Sequence, residues 1–159
     1  MLAIDAQVLK EVQLLFGKPV CRQRVGDGRS LSIGFGDKVF HSNPKKSDIF
    51  YGEWEVGTYS AAWRIVSAGR VIIGSQDVFD SVDDFDRALQ TVRLSHFEAI
   101  VQSTSMDIRL DLGLGLSVEF LCVSSSDDEM FHMFAPGNQY VEYVCGLGWK
   151  VGASNAPWR

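Results

Sequence analysis

The side chains able to carry chemistry are few, and their spacing matches no catalytic unit. Nucleophilic catalysis needs a Ser or Cys with a base within hydrogen-bond reach. His41, His96 and His132 are the only histidines, and no Gly-x-Ser-x-Gly elbow or Cys-Gly-x-Cys-Trp run accompanies them. His132 lies in Met130-Phe131-His132-Met133-Phe134, where strand alternation puts it on one face with Met130 and Phe134. Glu53 and Glu55 bracket Trp54 and so project from one sheet face. Such a pair could divide acid–base work, although a solvated strand face carries the same spacing more often. An enzyme would have to assemble Glu53, Glu55, Asp77 and His132, and nothing in their spacing joins them. The expectation is a protein without catalytic residues, not an enzyme.

Metal and cofactor chemistry finds no footing either. Asp127-Asp128-Glu129 lacks the loop glycine and closing bidentate glutamate of a calcium loop. Cys21, Cys122 and Cys145 stand far apart, and no Cys-x-x-Cys or His-x-x-x-His pair suggests zinc. Three cysteines without paired spacing predict buried, reduced thiols in a cytoplasmic protein. Gly26-Asp27-Gly28 and Gly113-Leu114-Gly115 follow strands but open no helix, so they read as turns rather than phosphate cradles. No metal and no cofactor is expected.

Aromatic residues offer a binding surface instead. Trp54 and Tyr59 have polar neighbours in Glu53, Glu55, Thr58 and Ser60, which predicts partial exposure. With Glu53, Glu55, Tyr140 and Tyr143 they form the candidate surface, because exposed Tyr and Trp are what interfaces favour. Core packing is the commoner fate of such residues. Trp63 and Trp149 are assigned to the core.

The elements that must position these groups follow from periodicity. Val8, Leu9, Val12, Leu15 and Phe16 share a helical face, Asp5 can cap it, and Gly17 with Pro19 stops it. A second helix over 81–93 starts on the capping pattern Ser81-Val82-Asp83-Asp84 and carries the stripe Val82, Phe85, Leu89, Val92. Short strands fill most of the rest: 20–25, 30–35, 52–56, 60–66, 71–74, 98–102, 107–112, 115–123, 129–134, 140–145 and 148–151. Val71-Ile72-Ile73-Gly74 reads as a buried strand, residues 43–48 as a loop, and Ser124 to Asp128 as a hairpin tip.

Two stretches repeat one order of elements. Leu15, Val20 and Leu31-Ser32-Ile33 precede Ala62-Trp63-Arg64-Ile65, and Leu94, Ala99 and Ile108-Arg109-Leu110 precede Gly148-Trp149-Lys150-Val151. The 159 residues are thus expected to form a single α+β, mainly antiparallel β domain. Its halves, about 15–79 and 94–152, are joined by the helix 81–93 as two meanders in a sandwich or half-open barrel.

Charge narrows the partners. Residues 1–79 hold ten Lys/Arg against eight Asp/Glu, a balance of +2, and residues 80–159 hold five against twelve, a balance of −7, which together give the net charge of −5. An acidic half disfavours nucleic acid and suits a basic protein partner. No apolar run is long enough to cross a bilayer. The motifs Leu15-x-Gly17-x-x-Val20, Ser30-Leu31-x-Ile33-x-Phe35, Trp63-Arg64-Ile65 and Gly74-Ser75-x-Asp77 resemble small bacterial β-rich domains of unknown function, some of them like toxin-immunity proteins. The second half departs from the pattern at His96 and after Trp149. The resemblance implies a bacterial, cytoplasmic protein that acts by binding another protein. A small-molecule or peptide binder and a homodimer paired through strand edges are the alternatives.

Overall fold

Asp5 starts the first helix as expected. Its carboxylate accepts hydrogen bonds from the amides of Gln7 and Val8, two of the donors that a helix start leaves without partners. The helix α1 (Ala6–Gln13) buries Val8 and Val12, with Leu15 buried just beyond, while Leu9 and Phe16 remain partly exposed. Ser81 caps α2 (Val82–Leu89) by accepting from the Asp84 amide, and α2 buries Phe85 and Leu89. This helix stops short of 93. Gln23 Nε2 donates to the carbonyls of both Leu89 and Val92, which fastens the helix end and the turn after it to the first strand.

The computed structural model describes residues 4–42, 48–59, 61–103 and 106–154. Within these the strands are β1 (Val20–Val25), β2 (Leu31–Phe40), β3 (Phe50–Thr58), β4 (Ala62–Ser67), β5 (Arg70–Gly74), β6 (Ala99–Gln102), β7 (Ile108–Asp111), β8 (Leu116–Leu121), β9 (Glu129–Ala135), β10 (Gln139–Val144) and β11 (Gly148–Ala153). They make a six-stranded sheet ordered β1-β2-β3-β9-β10-β11 and a five-stranded sheet ordered β5-β4-β8-β7-β6, antiparallel throughout. The protein is therefore β-rich and α+β, and neither sheet closes into a barrel. The expected loop at 43–48 falls largely outside the described residues.

The path between the sheets is the part that alternation could not reveal. The meander β1-β2-β3 hands the chain to β4 and β5 in the other sheet. The meander β6-β7-β8 hands it back to β9, β10 and β11. Residues 123–128 are exposed as expected, but they link the two sheets and are not a hairpin tip. The opening strands of the two halves, β1-β2 and β6-β7, lie at corresponding ends of their sheets. The closing strands likened in sequence do not correspond, since β4 is interior and β11 is an edge. Trp63 is accordingly buried, at 1% exposure, while Trp149 is only partly so.

One apolar cluster draws on both sheets and both helices, including Leu31, Ile33, Phe35 and Val56 from one and Trp63, Ile65, Leu110, Val118 and Phe120 from the other. Phe120 and Phe131 meet edge to face, 5.2 Å between centroids, linking β8 to β9. Two further expectations need correction. β5 is an edge strand paired only with β4 among the described residues, so Val71 and Ile72 stay about half exposed rather than buried. A disulfide joins Cys122, after β8, to Cys145, after β10, with Cα atoms 6.0 Å apart. Only Cys21 is a free thiol.

Candidate functional site

The outer face of the six-stranded sheet carries the polar and aromatic groups. Strand register sets them in two rows. Arg24, Ser32, Gly57, His132, Glu142 and Lys150 run across one, and Arg22, Gly34, Glu55, Phe134, Tyr140 and Gly152 across the next. Glu55 is the hub of the floor. Its Oε2 accepts from Arg22 Nη1 at 3.2 Å and Ser32 Oγ at 2.7 Å, and its Oε1 accepts from the Gly52 amide at 2.7 Å. Arg22 Nη2 also donates to Asp48 at 2.6 Å. Gly34 makes room for this arrangement, since a Cβ there would lie 2.7 Å from Glu55 Oε1.

Bulges shape the two sides. β2 carries Gly36 and Asp37 opposite Glu53 alone, with Gly36 at φ 82°, and Glu53 Oε1 accepts from the freed Asp37 amide at 2.7 Å. This bends the β2–β3 arm. On β9, Tyr143 pairs with Phe131 and Val144 with Glu129, so Met130 is the extra residue. The bulge brings Glu129 and His132 to the same side although they are three apart. Glu129 Oε2 lies 3.3 Å from His132 Nδ1, and Glu129 Oε1 accepts from the Tyr59 amide. Met130, expected beside His132, lies against Cys145 in the core instead.

Tyr59 stacks on His132 with centroids 4.5 Å apart, and Phe134 meets His132 edge-on at 5.3 Å and Tyr140 at 4.8 Å. Between the β2–β3 arm and the β9–β10 turn, Tyr59, His132 and Phe134 help to bound a cavity of about 630 Å³. Phe50, Tyr51, Tyr59, His132 and Phe134 supply aromatic walls, with Arg22, Ser32, Glu53 and Glu55 below. Burial, then the Glu129 and Glu55 charges, push the Tyr59 hydroxyl up. Burial, then Glu142, push the Tyr140 hydroxyl far up, and it donates to Glu142 at 3.2 Å. Both tyrosines therefore stay neutral. Burial, then Glu55, push the Cys21 thiol up, which makes it a poor nucleophile.

Four of the six candidate residues share this face: Glu53, Glu55, Tyr59 and Tyr140. Trp54 and Tyr143 do not. β3 is an interior strand, and alternation turns Trp54 to the inner face, where it is 6% exposed; Tyr143 is likewise buried at 5%. Of the four candidate aromatics, Tyr59, 59% exposed, is the one that reaches solvent. Residues missed by the sequence reading are Arg22, Glu129, Phe50 and Phe134. Glu129–His132 is the orienting half of an acid–base pair, but Ser32 donates its hydroxyl to Glu55 and no activated nucleophile faces it among the described residues. No group of three or more His, Cys, Asp or Glu able to hold a metal occurs among the described residues, and no helix is long and apolar enough to cross a membrane. No family model, curated protein or solved structure matches the chain.

Proposed function

We propose that this chain is a non-enzymatic binding module whose cavity on the outer face of the six-stranded sheet receives part of a protein partner. The observation that carries the reading is the aromatic-walled cavity of about 630 Å³. Its size and its mixture of apolar walls with a few convergent polar groups are those of a ligand site. The rim favours a macromolecule over a small molecule. Tyr51 and Tyr59, on the cavity walls, are 40% and 59% exposed and present apolar surface beyond what the cavity encloses. An immunity-like, occluding role fits such a surface.

The architecture belongs to the same proposal: a duplicated pair of meanders, exchanged between two sheets packed as a sandwich. The matching places of β1-β2 and β6-β7 support it. A cytoplasmic setting would require the Cys122–Cys145 bond to form there, so an oxidising compartment suits the disulfide better.

Selection of random twelve-residue peptides on the folded protein tests the reading. Binders that lose affinity for Tyr59→Ser and Phe134→Ala support it. Binders indifferent to both variants refute it. Self-association is the second reading, supported by the free edge of β5 with Val71 and Ile72 exposed. A sedimentation coefficient independent of concentration, unchanged in Ile72→Lys, would remove it.

A further inference from the structure

The walls and floor of the cavity also say what it would hold, an inference that rests on the binding reading above. Two carboxylates, Glu53 and Glu55, face one cation, Arg22, and Arg22 is already shared between Glu55 and Asp48. Arg22 is thus spent within the fold and offers little to an anion. Glu53 has the opposite standing. Its Oε1 is held by the Asp37 amide, and no cation pairs with it among the described residues. Aromatic faces surround this uncompensated charge, and such faces attract cations through the ring quadrupole. The molecule already uses that attraction twice, with Lys18 Nζ 5.2 Å from the Trp54 ring and Lys38 Nζ 4.7 Å from the Phe50 ring. Glu129 adds a further negative charge behind the stacked Tyr59 and His132 rings.

We infer that the cavity receives a basic side chain of the partner, an arginine guanidinium in particular, sandwiched by aromatic rings and paired with Glu53. A planar guanidinium can stack on Tyr51 or Phe134, which line the cavity nearer Glu53, while donating edge-on to its carboxylate, which an ammonium cannot do as well.

N-acetyl-arginine amide and its neutral isostere N-acetyl-citrulline amide, titrated into the 15N-labelled full chain, test the assignment. The expected result is saturable shifts of the Glu53, Tyr59, His132 and Phe134 amides with the arginine probe, and at least ten-fold weaker binding of citrulline. Glu53→Gln keeps an oxygen for the Asp37 amide, so the fold and its melting temperature should persist while the arginine probe falls to the citrulline level. Equal affinity for the two probes, or binding of neither, overturns the inference. Failure here is separable from failure of the binding reading: Tyr59-dependent peptides devoid of Arg and Lys would sink the guanidinium alone, whereas peptides indifferent to Tyr59 would sink both.

Discussion

Replacing Arg22 by Met tests whether the floor of the cavity is a closed electrostatic unit. The Arg22 side chain is 13% exposed and that of Glu55 11%, so both ends of the pair are largely removed from water. Met keeps the apolar stem and removes the guanidinium. Glu55 then retains only the Ser32 hydroxyl and the Gly52 amide, and Asp48 loses one of its two arginines. Stranding a buried charge in this way costs about 3–5 kcal/mol. Glu55→Gln should cost less, about 1.5–3 kcal/mol, because it removes the charge together with the need to balance it. The double variant should then be less destabilised than the two single losses added together, since both act on one contact. Urea unfolding of the four proteins gives all three quantities. A loss below about 1 kcal/mol for Arg22→Met would mean that the cluster behaves like a solvated surface pair. It would also return Arg22 to the pool of groups able to meet an anionic ligand, which contradicts the charge argument for a guanidinium.

Other expectations follow from the same structure. Reducing the Cys122–Cys145 bond, or replacing both cysteines by Ser, should lower stability by about 3 kcal/mol for a loop of this length; an unchanged urea midpoint with reductant would show that the thiols are not linked in solution. Trp54→Ala should cost about 3–5 kcal/mol as a core truncation, and Tyr59→Ala less than about 1 kcal/mol as a surface one, so thermal denaturation of the two variants separates the packed aromatic from the presented one. Tyr140 has its pKa raised in the fold, so its contribution to stability is fully present below the unfolded value near 10 and is lost as pH rises beyond it. The melting temperature should therefore fall above about pH 10, less steeply in Tyr140→Phe; equal slopes for the two proteins would contradict the buried, neutral hydroxyl.

Most strands were legible because period-two alternation and turn residues are local signals, and both helix starts because Asp5 and Ser81 advertise their caps. Sheet membership was not legible, because β3 and β8 look alike whether the next strand pairs with them or departs for the other sheet. The error at Trp54 has a definite cause. Glu53 and Glu55 are its neighbours in sequence but lie on the opposite face, so their polarity says nothing about its exposure, and with β2 and β9 on either edge of β3 the inward Trp54 is enclosed. Of the residues on this face, Glu53 and Glu55 were legible by alternation and Tyr59 by its polar neighbours, while Tyr140 was included only as an aromatic of the second half. Glu129 was not, since residues three apart on a regular strand point opposite ways and only the extra residue at Met130 reunites it with His132. The cysteine pair joins two separate strand ends, a meeting that sequence spacing does not encode.

The handover of strands between the sheets bears on how the chain can be cut. β3 finds its next neighbour in β9, and β4 finds its own in β8. A fragment ending near residue 93 would therefore keep three strands of one sheet and two of the other, with a raw edge on each. Neither fragment should hold a stable structure by itself, yet the two together present complementary edges and should reassemble when mixed. The β3–β9 pairing spans 75 to 79 residues and the β4–β8 pairing 49 to 59, so two long loops must close before these contacts form, and slow folding is expected. The same exchange offers two molecules a route to trade halves at high concentration, which makes the segment around α2 the place where a shortened or stiffened linker would turn a monomer into an entwined dimer.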